Sequence, residues 1–183
     1  VGNLTVGVPR ISGRITYRGS PDATRRELSR VLPQELDTTG REWHGEMLPG
    51  HFLMSAYGKY GYAPRSTRRP PRGDRPGRER LSYVAAKQKY KHHNLPLVWS
   101  GDLRTAVMRQ QDVRSKGRTV RVVLHGPRYL YQYRKDLRQP DKAAELTIIV
   151  QDEAMELARR LDRRVTKRLQ ECRTAEVREM KGA

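Results

Sequence analysis

Five histidines, one cysteine and a scatter of carboxylates are the residues of this 183-residue chain that could bind a metal or move a proton. His44, Glu46 and His51 lie close together, and His92 and His93 are adjacent. A helix-borne zinc site needs two histidines four apart on one face and a third ligand. His44 and His51 are seven apart with Pro49-Gly50 between them, and neighbouring side chains such as His92 and His93 diverge in either regular structure. Cys172 falls in an apolar helical stripe, where a buried thiol is the ordinary reading. The chain contains no Gly-x-Ser-x-Gly, Walker loop or dinucleotide fingerprint. Asp22, Glu27, Glu35, Asp37, Glu42 and Glu46 sit among basic partners or at helix starts. Nothing assembles a nucleophile, a base and an oxyanion site. The expectation is a non-enzyme with no catalytic residue, cofactor or metal.

One constellation needs separate treatment. His125-Gly-Pro-Arg128, followed by Tyr131 and Tyr133, superficially resembles the His-x-x-Arg and nucleophilic tyrosine of DNA-cleaving tyrosine recombinases. The tyrosines follow too soon, the chain is too short for such a catalytic domain, and their alternation is that of strand residues. A small basic nuclease is the weakest of the function classes considered.

Charge is the stronger signal. Thirty-eight Lys and Arg face twenty Asp and Glu, for a net +18, and arginines outnumber lysines 29 to 9. Arginine suits bidentate contact with phosphate or carboxylate, although a GC-rich genome also raises the ratio. Half of the excess lies between Lys59 and Lys91, where eleven basic residues face two acids. Arg65, Arg68, Arg69, Arg72, Arg75, Arg78 and Arg80 share one stretch with three prolines and two glycines, and Lys87, Lys89 and Lys91 follow. Residues 64–80 hold no large apolar side chain and cannot offset their own ordering entropy. They read as a basic arm contacting nucleic acid or an acidic partner, or else as a solvated loop. The tyrosines at 57–62 could stack bases, but helical spacing more often marks core. No compact base-reading motif occurs, so phosphate contact is favoured over sequence-specific recognition.

The elements that must position these residues follow from periodicity. Residues 4–8 and 13–18 alternate as two short strands or one bent strand. Ser20-Pro21-Asp22 opens a helix carrying Leu28, Val31, Leu32 and Leu36, which Pro33 would kink or divide. Phe52, Leu53, Ala56 and Tyr60 predict a short helix packed on the first. Leu81–Lys91 reads as helical, with Val84 and Ala85 inward and Lys87, Lys89 and Lys91 largely outward. A further helix begins at Ser100 or Asp102. Arg118–Leu124 is the clearest strand, with Tyr129–Tyr133 as a hairpin partner and 145–150 as a fourth strand. Asp152 starts a long helix with the stripe Ala154, Leu157, Ala158, Leu161, Val165, Leu169 and Cys172. The predicted fold is α+β: a small, mainly antiparallel sheet packed by helices, with a long C-terminal helix and an extended basic arm. Residues 1–172 form a single domain in this reading, and 173–183 a frayed tail. No apolar run approaches a membrane span, and Val1–Arg10 lacks a signal pattern. Cys172 alone allows no internal disulfide, which suits a reducing compartment.

The order of these signals resembles the virion-morphogenesis or tail-completion proteins of long-tailed bacteriophages, neck components at the head–tail junction. The resemblance runs over roughly residues 24–170. It is carried by a helix ending at Trp43, by Gly50-His51-Phe52, and by Tyr60-Gly-Tyr-Ala-Pro-Arg65. Tyr83 and Lys87 follow, then Leu95-Pro-Leu-Val-Trp-Ser-Gly-Asp-Leu103 with Val107, and the strand ending at Leu124 before Pro127-Arg-Tyr-Leu130. Pro140 and Glu145-Leu-Thr147 precede the basic C-terminal helix. The Arg/Pro-rich insertion at 65–80 departs from the family pattern. The resemblance implies a structural role for His51, Phe52, Leu97, Gly101, Leu103, Pro127, Tyr129, Glu145, Leu146 and Thr147. It also implies a small non-catalytic α+β subunit of a ring, six- or twelve-fold, in the virion neck or tail, assembled in the host cytoplasm. Its expected partners are its own copies, adjacent head-completion or connector proteins, and tail-terminator or tail-tube proteins. Non-specific contact with packaged DNA is a further expectation, and no membrane is involved. The alternative is a non-specific nucleic-acid-binding module gripping phosphates with the basic arm.

Overall fold

The computed structural model describes residues 2–7, 21–63, 65, 81–109, 111–127, 130 and 141–182. The protein is α+β. In chain order the elements are β1 (Gly2–Gly7), α1 (Pro21–Glu42), a π-helical turn (Trp43–Met47), a 3-10 turn (Leu48–Phe52), α2 (Ala56–Lys59) and α3 (Tyr83–Lys91). Then come α4 (Asp102–Arg109), β2 (Gln111–Lys116), β3 (Thr119–Gly126), α5 (Lys142–Leu146) and α6 (Gln151–Gly182). The sheet has the order β1-β3-β2, with β2 antiparallel to β3. No helix is long and apolar enough to cross a membrane among the described residues.

The chain divides into two compact units, each drawn from separate stretches of sequence. Unit 1 comprises Val1–Leu4, Leu48–Gln110 and His125–Ile148; unit 2 comprises Thr5–Met47, Gln111–Leu124 and Ile149–Ala183.

Unit 2 is built on the pairing of α1 with α6. Leu36, Val120, Leu161, Val165 and Leu169 form its buried core, with Leu28, Leu32 and Val113 packed against them. Leu157, Leu161, Val165 and Leu169 recur every four residues, so the apolar stripe lies on one face of α6. The polar flank is tied to α1 by charge. The Arg164 guanidinium donates from Nε to Glu35 (2.9 Å), from Nη1 to Glu42 and from Nη2 to Thr39 (2.7 Å). Arg168 reaches Glu35 at 3.4 Å, and Arg160 reaches Glu46 at 2.6 Å. The pairs 46–160, 42–164 and 35–168 run in opposite senses along the two helices. Against the inner face of the β2–β3 hairpin, α1 presents Gly40; a Cβ there would stand 2.7 Å from Val113 Cγ1 and 2.9 Å from Val120 Cγ2. The missing side chain lets helix and hairpin approach.

Several local expectations change. Pro33 lies inside α1 without dividing it. The strand partner of β3 is β2, joined through Gly117-Arg118; Gly117 has φ +61°, the glycine-first pattern of a type II′ turn. The strand at 13–18 and, apart from Leu130 (which is not in a strand), the proposed partner at 129–133 lie outside the described residues. Residues 145–150 are not a strand: α5 covers 142–146 because the Asp141 carboxylate caps it, accepting from Ala143 N and Ala144 N at 3.0 Å each. Helical backbone runs on to Gly182, through the segment expected to fray. Leu53 is exposed, because the helical spacing at 52–60 is broken into a 3-10 turn and the short α2.

Candidate functional site

Unit 1 collects most of the residues singled out above, and its centre is Glu145 on α5. The Arg65 guanidinium donates from Nη1 to Oε1 at 2.9 Å and from Nη2 to Oε2 at 2.6 Å. Both side chains are only 9% exposed. Such a fork is the strongest geometry open to an Arg–carboxylate pair. Burial works against the Arg65 charge, but the Glu145 hydrogen bonds and charge outweigh it and hold the guanidinium pKa above its ordinary value. The guanidinium also stands 6.0 Å from the centre of the Tyr57 ring.

A second set of contacts holds Glu145 by its backbone. Tyr62 donates its hydroxyl proton to the Glu145 carbonyl at 3.0 Å. With that proton committed, the Tyr62 oxygen is an acceptor toward His51 Nδ1, which sets the N–H of His51 on Nδ1. The His51 ring stacks on Tyr60 with centroids 3.8 Å apart. Phe52 and Leu146 are fully buried beside these residues in sequence. The Thr147 hydroxyl closes α5 by donating to Ala144 O at 2.8 Å.

The lysine of the third motif is buried. Ser82 caps α3, accepting from Ala85 N at 3.1 Å, and His92 ends it in the left-handed region at φ 57°. On the helix face between them, Lys87 is 1% exposed and donates to the Leu95 carbonyl, with its ammonium 5.5 Å from the Tyr83 ring centre. Burial, and then the charge of Arg65, push its pKa down to about 8. Burial and Arg65 likewise lower Lys142, against the opposing pull of Glu145. Burial raises Tyr83, with Arg65 opposing. The expectation that Lys87 points outward is therefore corrected, as is the inward placement of Ala85, which is exposed.

The turn before α4 is shaped by backbone. Leu97 holds φ 56°, uncommon for a branched side chain, and is kept there by burial; Gly101 follows at φ 90°. Leu103 and Val107 are buried on α4. Pro127 accepts from Leu130 N at 3.0 Å.

The expected contact residues therefore separate. Arg65 and Lys87 are committed inside unit 1, Lys89 and Lys91 are exposed, and Arg68, Arg69, Arg72, Arg75, Arg78 and Arg80 lie outside the described residues, as does Tyr129. The described residues given a structural role by the resemblance fall in unit 1, whereas Trp43, Leu124 and the C-terminal helix of the same pattern fall in unit 2. An exposed aromatic rim, Tyr83 against Trp99 (centroids 5.3 Å apart) with Tyr90 further along α3, borders the two exposed lysines. Sequence reasoning missed Tyr62 as a partner of Glu145 and missed Lys142. No local spacing links residues 80 apart. For Lys87 the spacing gives no signal of burial, since Tyr83 and Tyr90 on the same helical face are exposed. Among the described residues, no three or more His, Cys, Asp or Glu are grouped to hold a metal ion. Comparison of the chain with protein families, with curated proteins and with solved structures gives no match.

Proposed function

We propose that the protein is a non-catalytic structural component of a tailed bacteriophage, joining or completing the tail at the head–tail interface as a subunit of an oligomeric ring. One observation carries the reading. Eight of the residues on which the neck-protein resemblance rests (His51, Phe52, Arg65, Lys87, Leu97, Leu103, Glu145 and Leu146) are interior or hydrogen-bonded within a single unit. Their polar groups go into holding backbone segments together, which is the work of a scaffold. Heterologous contacts between copies would close the ring, with head-completion or connector proteins on one side and tail-terminator or tail-tube proteins on the other. The virion neck is the location this reading assigns.

The test is assembly. Purified protein should co-assemble with neck or tail components into a closed ring, read by native mass spectrometry. A phage lacking the gene should accumulate filled heads and unjoined tails. Normal virions from such a phage would overturn the reading. The second reading, a nucleic-acid-binding module, is favoured by the charge of unit 1, which holds eighteen Lys and Arg against six Asp and Glu. Tight binding to duplex DNA with no assembly, lost on neutralising Arg68–Arg80, would favour it.

A further inference from the structure

The β2–β3 hairpin of unit 2 carries a feature that packing does not require. Its strands alternate, so one face meets α1 and the other meets solvent. Val120, Val122 and Leu124 are buried on the inner face. The outer face holds Asp112, Arg114 and Lys116 on β2 and Thr119 and Arg121 on β3, all exposed, with Arg118 exposed in the turn. The register sets Arg114 directly opposite Arg121. Opposed side chains stand only about 5 Å apart at Cβ, and like charges there destabilise a strand pair. Asp112 is the one acid of the hairpin and meets Arg114 at 3.7 Å, with the Arg114 side chain 78% exposed. Four cations therefore share the outer face of β2, β3 and their turn with one carboxylate.

We propose that this ladder is a contact surface for the phosphate backbone of duplex nucleic acid, independent of sequence. Lys116 lies two residues beyond Arg114, about 6.7 Å along the strand, or two steps of the ~3.4 Å rise per phosphate on one strand of a duplex. An acidic protein partner fits less well. Stable protein interfaces anchor on apolar and aromatic side chains, and among the described side chains of β2 and β3 this face offers just Val123 and His125, both half-buried. A single strand also fits less well, since the half-buried His125 at the far end of β3 is the one ring on this face of β2 and β3 and no Phe, Tyr or Trp stands beside it to stack a base. A bound phosphodiester backbone would relieve the Arg114–Arg121 repulsion, which otherwise has no counterpart on the ribbon beyond Asp112. This inference stands apart from the neck assignment, because it concerns unit 2 and can be read on the purified chain alone.

The test is fluorescence anisotropy of the full chain with a 24-base-pair mixed-sequence duplex between 50 and 200 mM salt. Each lost phosphate contact removes about 0.9 from the slope of log affinity against log salt. Arg114→Gln with Arg121→Gln should flatten the slope by about 1.8 and weaken binding about tenfold or more at the low-salt end. The same change should appear when Arg68–Arg80 are already neutralised to Gln. The double variant should keep or raise its melting temperature, since it removes a like-charge pair, so misfolding cannot imitate the result. No duplex binding by the wild type, an unchanged slope, or equal affinity for poly-glutamate or a single strand would each overturn the proposal.

Discussion

Lys87 occupies the core position of a helix whose neighbours on the same face are tyrosines, and its charge is costly there. Below pH 8 the side chain is protonated in folded and unfolded chains alike, and the folded state bears the desolvation. Between about 8, its folded value, and the ordinary lysine range near 10.4, the unfolded chain binds the extra proton, so stability rises with pH. Lys142 acts in the same direction, whereas Tyr83, whose pKa is raised, acts oppositely only above its ordinary value near 10. Melting temperature should therefore climb between roughly pH 8 and 9.5, and Lys87→Met should flatten most of that climb, with Lys142 supplying the remainder. An unaltered pH profile in Lys87→Met would show that the lysine is solvated. The interior placement was not legible: Tyr83 and Tyr90, on the same helical face, are themselves exposed, and lysine by type reads as exposed. The Arg65–Glu145 fork was not legible, since eighty residues separate its ends and neither carries a local pattern.

For the elements, the close approach of α1 to the hairpin depends on one absent methyl. Gly40→Ala gains helix propensity of about 1 kcal/mol, yet its Cβ would press on two branched valines that cannot swing away. Overpacking of this kind costs about 1–3 kcal/mol, so after the propensity gain urea denaturation should show a net loss of up to about 2 kcal/mol. A stabilised variant would mean that helix and hairpin are less closely packed. The α6 stripe and the α1 repeat were readable because a four-residue period survives any tertiary context. Strand β2 is not legible because Gln111–Lys116 offers a single apolar residue, Val113, and its pairing with β3 is set by the Gly117 turn. At 145–150, β-branched Thr147, Ile148, Ile149 and Val150 suggested a strand, while Asp141 ahead of Ala143 and Ala144 carried the helix signal that prevailed.

On the whole-molecule scale the charge is divided unequally, since unit 2 has twenty Lys and Arg against fourteen Asp and Glu. Much of the basic character of α6 is used internally, on Glu35, Glu42 and Glu46 of α1 and the adjoining turn. The net +18 is thus concentrated in unit 1 and on the hairpin, where self-repulsion opposes compaction. Raising salt from 20 to 300 mM should screen that repulsion more than it weakens the partly buried pairs. Calorimetry should show a gain of about 1 kcal/mol, or roughly 2–4 °C. A fall would mean that the α1–α6 pairs dominate.

Both units are assembled from distant stretches, and the clasp of Arg164 on Glu35 spans 129 residues. That has a consequence for synthesis. As the chain leaves the ribosome, unit 1 has all its parts once Ile148 has emerged. Unit 2 cannot form its core until α6 follows, so the apolar faces of α1 and the hairpin are translated early and must wait. During that interval the acids of α1 stand without their arginines. The arrival of α6 is what ends the exposure.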